Sequence, residues 1–415
     1  MRISWGWFVL GCMGAAWQTL MPIRAGFGRG WEMLNLARAL AATGSFQNPL
    51  EVLATGPTAQ EPPGFPFVVS LLIRAFGDGN GLMWSATALC ILAHGLYAGW
   101  LPAAGERISG DRRAGHAAAL LAVILPAFPL MPQWDTILSA AGLLAYLSLA
   151  KTDCSLGRGF GIGALAGFLS LWNPITAPAA LLRVPFLVPG EPRKTHRRRL
   201  ALLAAWGAGF LAISGPWMAR NHHVLGTWAL RTNLGFTLYA SNNDCAAPHI
   251  FETIRSGCYD RMHPNTSASE AALLLSLGEA RFDRLRTQAT YEWMKTHPRR
   301  EFELAVARFR EFWFPGPSEQ SPYAQAVWIT TVLSFLGFIG MARNRIPGWK
   351  YMLTVSLVVP VPYYFVVAGI RYRAPVLWIA QITAGYLLVA MHSAARSWYE
   401  RKTSAALPSE PCPQR

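Results

Sequence analysis

The chain has 415 residues, of which 52% are hydrophobic and only 14% charged, with 17 Trp and a formal net charge of +15. Soluble domains carry about 25% charged residues, so an ordinary water-soluble enzyme is excluded and an all-α polytopic membrane protein is expected. Lys and Arg gather in short linkers, which makes the basic balance a topology signal and gives no support for nucleic-acid binding.

In chain order, the first apolar run, 4–22, follows a basic start, has no convincing small-residue cleavage site and reads as an uncleaved helix. Further apolar runs at 80–104, 114–131, 134–150, 159–173, 175–190, 200–218, 323–342, 350–367 and 375–393 bring the count to about ten transmembrane helices. The linkers "GERISGDRR", "KTDCSLGR", "GEPRKTHRRR" and "ARNRIPGWK" and the tail "ARSWYERK" hold the cations, so a cytoplasmic position for all of them satisfies the positive-inside rule with both termini inside. Residues 23–79 and 219–322 then lie outside. The second of these has 12 Lys and Arg against 11 Asp and Glu and adds almost nothing to the net charge. The resulting division is an N-terminal transmembrane module, 1–218, with the first outer loop 23–79; an extracytoplasmic helical loop, 219–322; C-terminal transmembrane helices, 323–395; and a cytoplasmic tail, 396–415, whose "ALPSEPCPQR" reads as disordered.

Within the first outer loop, "TAQEPPGFPFVVSLLIRAFG" places Phe65, Val68, Val69, Leu72, Ile73 and Phe76 on one stripe of a helix opened by Pro62 and Pro63 and closed by Gly77. At 1.5 Å per residue this helix covers about 20 Å, short of the roughly 30 Å of a bilayer core, so it is expected to lie along the membrane surface. In the second outer segment, "SASEAALLLSLGEARFDRLRTQATYEWMKTHPRREFELAVARFREFWF" reads as two or three amphipathic helices broken at "THP". Cys12 and Cys90 sit in apolar runs, Cys154 in a linker and Cys412 in the tail, whereas Cys245 and Cys258 share the outer segment. An oxidising outer compartment permits a disulfide there, and two free thiols remain the alternative because distance is not readable from sequence. No Cys/His spacing forms a metal cage.

Four stretches carry the chemistry: "GWEMLNLARALAATGSF", "TGPTAQEPPGFP", "GPWMARNHHVLGTWALRTNLGFTLYASNN" and "AGIRYRAPV". In this order and spacing they resemble the GT-C superfamily of integral-membrane glycosyltransferases, in particular the bacterial dolichyl-phosphate-mannose-transferase-like and aminoarabinose-transferase-like groups. The resemblance covers most of the chain, the middle spans contributing little beyond hydropathy. It implies interfacial helices in the first extracytoplasmic loop, an active site facing away from the cytoplasm, and a polyprenyl-phosphate sugar as donor to a lipid, glycan or protein acceptor. It also implies an acidic residue in that loop, a position matched by Glu32. Many relatives have two adjacent acids there; here Trp31 precedes Glu32, which weakens a paired-carboxylate or metal role. A divalent metal is left open and none of the residues is assigned to one.

The residue types suit the reaction independently. A carboxylate in a partly desolvated interface can take the acceptor proton, and Glu32 is the candidate general base. Arginine's planar fork binds two phosphate oxygens and stabilises the charge that develops on a departing phosphate; Arg371, Arg373 and Arg220 are the candidates. Glu61 and Asp135 are further substrate-binding candidates, and the chemistry is expected to invert the anomeric centre. On the short helix at Glu32, Met33, Leu36, Ala37 and Leu40 are expected to face the bilayer, with Glu32 and Asn35 facing a cavity.

Each residue has a plainer reading. Glu32 and Asp135 could be helix-start acids held by the dipole, Glu61 a turn residue beside Pro62, Arg371 and Arg373 lipid-headgroup anchors, and Arg220 an interfacial anchor at the end of a span. His222 and His223 are adjacent and unsuited to converge on one ion. A transporter or a flippase of a lipid-linked glycan is the first alternative function, although ionisable residues are almost absent from the apolar runs apart from Arg74 and Arg183 near their edges. A non-catalytic membrane scaffold is the second; it leaves the clustered acid, prolines and arginines unexplained. Arg far outnumbers Lys, a balance that points to a GC-rich bacterium, with the multi-pass chain in its inner membrane and the active site on the periplasmic face.

Overall fold

The structure, a computed structural model, describes residues 3–20, 32–125, 127, 130, 132, 134–150, 155–187, 192–317 and 321–405. Cys154, Cys412, the start of the first outer loop and the "ALPSEPCPQR" tail lie outside the described residues. The described chain is helical, with β-bridges only at Gln47 with Pro57 and His249 with Ala368.

Four helical stretches are long and apolar enough to cross a bilayer: Asn80–Ser109, His196–Leu225, Tyr323–Arg343 and Ile370–Thr403. Four of the ten expected spans meet that length and composition among the described residues. The other six apolar runs do contain helices, but these are shorter than 18 residues. Trp5–Leu20, Arg112–Ile124, Thr136–Leu149 and Leu156–Ser170 are among them. Proline accounts for several of these stops, because it lacks the amide donor and disfavours helix in the residue before it. Arg112–Ile124 ends ahead of Pro126, Leu156–Ser170 ends ahead of Pro174, and Trp349–Val358 ends ahead of Pro360.

Helix Asn80–Ser109, about 45 Å long at 1.5 Å per residue, separates two ends of the molecule. At its C-terminal end two of the basic linkers, 105–113 and 343–349, meet: Gly348 N–H donates to Ile108 O at 3.1 Å, and the Arg107 guanidinium donates to Ser148 O. At its N-terminal end the two long segments meet: Thr232 N–H donates to Ala59 O, and Glu51 N–H to the Asn265 side chain, both at 2.9 Å. Those two basic linkers and the two long segments therefore occupy opposite ends of this helix.

Close helix packing uses glycine where a Cβ would collide. A Cβ on Gly163 would stand 1.9 Å from Trp206 O and one on Gly209 2.0 Å from Phe160 O. This lets Leu156–Ser170 lie directly on Pro192–Leu225, the small-residue contact that helices use in lipid, where apolar burial drives little association.

The first long segment builds two helices at one end of the site. Gly64–Phe76 stops at Gly77, whose N–H caps Ile73 O at 2.8 Å with φ of 81°. Its start is pinned by Gly64 N–H to Leu171 O at 2.8 Å, a contact a side chain at 64 would obstruct. Phe65 and Val69 are buried against Met33, Leu34 and Ala37 of helix Glu32–Thr43 and against Leu82 and Ala86, worth about 2 kcal/mol per fully buried side chain. This corrects the expected orientation of the short helix. Met33 and Ala37 face protein neighbours, because a second helix and the start of Asn80–Ser109 cover that stripe, and Asn35 donates to Pro49 O at 2.9 Å.

Candidate active site

Between the two long segments and the C-terminal helices lies a cavity of about 500 Å³. Five elements bring charged groups to its wall. Glu32 begins helix Glu32–Thr43, Glu61 ends the turn before Gly64–Phe76, and Asp135 precedes Thr136–Leu149. Arg231 comes from the connection after Pro192–Leu225, and Arg371 from the 3-10 turn Ile370–Val376.

The acids are buried and differently partnered. Glu61 accepts from Arg231 Nη2 at 2.5 Å, and Arg231 Nε also donates to Gln60 O at 2.9 Å. Asp135 accepts from the Ser139 hydroxyl at 2.7 Å. Among the described residues, no arginine or lysine is bound to Glu32. Burial, then the neighbouring Glu61 charge, push its carboxyl up to about 7, against the weaker opposing pull of Arg231 and Arg371.

His263 stands beside Glu32, with Nε2 3.7 Å from Oε1. Its Nδ1 accepts the Asn265 N–H at 3.1 Å, which leaves the hydrogen of the neutral ring on Nε2, facing Glu32. Burial drives the imidazole down to about 3, so the contact is not an ion pair near neutral pH. Tyr259 stacks on His263 at 4.5 Å and 13°, and Phe236 meets its edge at 5.0 Å. Burial, followed by the Glu32 charge, holds the Tyr259 phenol well above its ordinary range. The helix that carries Tyr259 starts at Cys258, which is disulfide-bonded to Cys245. Of the two states left open by the sequence, the structure takes the bonded one.

Arg371 sits over Trp134, with Cζ 3.8 Å from the ring centroid, and donates to the Tyr372 hydroxyl at 3.2 Å. No carboxylate ion-pairs with it among the described residues, so its cationic edge is left for an anion. The turn holding it is braced by backbone bonds from Ala368 N–H to Pro248 O at 2.9 Å and from Ile250 N–H to Ala368 O at 3.1 Å. Tyr372 and Tyr363 stack at 4.9 Å and 16° on the same wall.

The remaining sequence candidates lie elsewhere. Arg373, two positions on, is buried outside the cavity and donates to the Thr331 hydroxyl at 2.9 Å, with Trp313 beneath it. Arg220 lines a neighbouring apolar groove of about 640 Å³ that shares Trp172 with the cavity and contains none of its carboxylates. Its guanidinium donates to Thr58 O at 2.6 Å and Phe46 O at 3.1 Å, clamping both limbs of the turn that the Gln47 and Pro57 bridge closes. His222 stacks on Trp228 at 4.5 Å. No group of three metal-ligating side chains occurs among the described residues.

Sequence reasoning missed Arg231, Tyr259 and His263. Arg231 stood in a stretch singled out for chemistry, where Arg220 at the span end drew the assignment; Tyr259 and His263 carry no local pattern and are brought in by tertiary packing alone.

No protein-family model and no curated protein matches the chain. Solved structures do. The archaeal oligosaccharyltransferase AglB from Archaeoglobus fulgidus, in complex with an inhibitory peptide and a dolichol-phosphate, superposes with a TM-score of 0.51 at 12% identity over 98% of this chain. Its apo form gives 0.52 at 12% identity, again over 98% of this chain. In both comparisons the match covers 52% of the AglB chain, so this chain spans about half the length of that enzyme. ArnT from Cupriavidus metallidurans bound to undecaprenyl phosphate also matches, at 16% identity and a TM-score of 0.42, over 98% of this chain and 82% of that one. The chain therefore shares its fold with the AglB oligosaccharyltransferase. Within that fold, this chain carries the Glu32, Glu61, Asp135, Arg231 and Arg371 cavity, with Tyr259 and His263 on the wall beside Glu32.

Proposed function

We propose that the chain is a glycosyltransferase of the bacterial inner membrane, moving a sugar from a polyprenyl-phosphate carrier to a lipid, glycan or protein acceptor on the periplasmic side, where residues 23–79 and 219–322 lie. The observation that carries this reading is the pairing, in one cavity, of a buried carboxylate pushed up to about 7 with an arginine that no carboxylate ion-pairs with among the described residues. The fold shared with AglB, a protein solved with dolichol-phosphate, supports the lipid-carrier class of donor.

In this reading Glu32 takes the proton of the acceptor nucleophile as the new bond to the anomeric carbon forms. The bond from that carbon to the phosphate oxygen breaks, and the departing polyprenyl phosphate is received by Arg371, whose fork suits two oxygens at once. Attack opposite the leaving group inverts the anomeric centre. Arg231 is held by Glu61 and adds positive field without being free to swing to the phosphate. Asp135 is placed to accept hydrogen bonds from sugar hydroxyls, and the carboxylates together favour an oxocarbenium-like transition state. Arg373 supports the Arg371 turn from behind, and Arg220 supports the Glu61 turn. Helices Glu32–Thr43 and Gly64–Phe76 sit at the membrane surface and roof the cavity.

Incubating the purified protein with a panel of labelled polyprenyl-phosphate sugars tests the class of reaction. Release of label from one carrier, dependent on Arg371, is expected; retention of every donor in the presence of lipid, glycan and peptide acceptors would contradict it.

A further inference from the structure

Glu279 opens helix Glu279–Thr296 and is not part of the cavity wall, yet its carboxylate is buried. An acid at a helix start needs only the dipole to explain it. This one does more: its Oε1 accepts the Ala59 N–H at 2.9 Å and the Thr232 hydroxyl. Ala59 O in turn accepts the Thr232 N–H at 2.9 Å. Two chain segments that lie about 170 residues apart are thus fastened to each other and to Glu279 at one point.

The positions immediately beyond that point carry cavity charges. Two residues after Ala59 comes Glu61, and one residue before Thr232 comes Arg231, the pair joined at 2.5 Å. Arg231 Nε holds Gln60 O, and on the other side of the turn Arg220 Nη1 holds Thr58 O. Among the described residues, the bonds that fix the 58–61 turn run to Arg220, Arg231, Thr232 or Glu279, apart from the local bond from Gln60 N–H to the Thr58 hydroxyl and the backbone bond from Thr58 N–H to Phe46 O.

The geometry points to Glu279 as a positioning residue that sets the register of Glu61 against Arg231 and so couples the outer helical segment to the cavity. It touches neither substrate nor reacting atoms. Its influence on transfer rests on the functional reading above, whereas its hold on the turn does not.

Two variants separate the roles. Glu279→Gln keeps a carbonyl oxygen for the Ala59 and Thr232 donors; Glu279→Leu keeps the bulk and removes the acceptor. In the full-length protein, hydrogen exchange at residues 57–62 and 229–233 should rise roughly tenfold in Glu279→Leu, with the Leu156–Ser170 and Pro192–Leu225 pair unchanged, and should return close to wild type in Glu279→Gln. With a donor accepted by the wild type, Glu279→Leu should lower kcat roughly tenfold with a smaller change in KM, and should cost little more when Glu61→Gln is already present. Unchanged exchange at 57–62, exchange raised throughout the molecule, or full additivity with Glu61→Gln would overturn the proposal. A wild type that transfers nothing would count against the transferase reading instead, and exchange alone would then decide whether Glu279 holds the turn.

Discussion

His263 presents its Nε2 to Glu32 at 3.7 Å without forming an ion pair, because burial keeps the imidazole neutral while it raises the carboxyl. Glu32 is therefore the group of the two that changes protonation near neutral pH. A base must be unprotonated to act, so transfer should rise as pH passes upward through about 7. The Glu61 charge is one of the causes of that raised value, so Glu61→Gln should move the acidic limb to lower pH. A pH profile of kcat in both proteins checks this; an unmoved limb, or one moved upward, would remove the electrostatic link between the two acids.

Arg371 and Arg373 should separate cleanly. Arg371→Ala removes a cation that faces the cavity, and binding of polyprenyl phosphate should weaken by about tenfold or more, with Arg371→Lys restoring only part because the fork is lost. Arg373→Ala instead leaves the Thr331 hydroxyl and the face of Trp313 without their partner. Its expected effect is a Tm lower by roughly 3 °C, with binding retained in the folded protein. Equal loss of binding in both variants would contradict this division.

The disulfide makes a chemical prediction. Cys245 and Cys258 should resist alkylation in the folded, unreduced protein and become alkylatable after reduction. Because Cys258 leads directly into the helix bearing Tyr259 and precedes His263, the Cys245→Ser/Cys258→Ser protein should bind carrier more weakly or turn over more slowly. Mass spectrometry that finds both thiols free in the native protein would refute the bond.

Sidedness is equally direct. Ser45 and Arg112 are exposed residues at opposite ends of the molecule. As single cysteines in a background without other reactive thiols, they should label from opposite sides of the membrane, Ser45 from the periplasm. Labelling from the same side would overturn the topology.

Much of this was legible in the sequence because it is local. The proline start and glycine stop of Gly64–Phe76, and the stripe that buries Phe65 and Val69, follow from residue type and a 3.6-residue period. Glu32, Glu61, Asp135 and Arg371 were each marked by an acid or cation next to a turn or helix start, and the structure gathers all four in one cavity. What hydropathy could not supply was length: a sliding window runs through Pro126, Pro174 and Pro360, whereas the helices stop before them. Nor could it distinguish an apolar stripe facing lipid from one facing protein, as at Met33 and Ala37. Arg231, His263 and Glu279 matter through partners 47 to 231 residues away in sequence, and no window spans such distances.

The central claim is that Glu32 is the base. Glu32→Gln removes the titrating group while preserving its shape, so the folded variant should bind polyprenyl phosphate as the wild type does and transfer sugar roughly a hundredfold or more slowly. Steady-state transfer from one defined, labelled polyprenyl-phosphate sugar, measured beside carrier binding in the same preparation, decides it. Wild-type turnover in the folded Glu32→Gln protein would contradict the account and leave the base to be sought at Glu61 or Asp135.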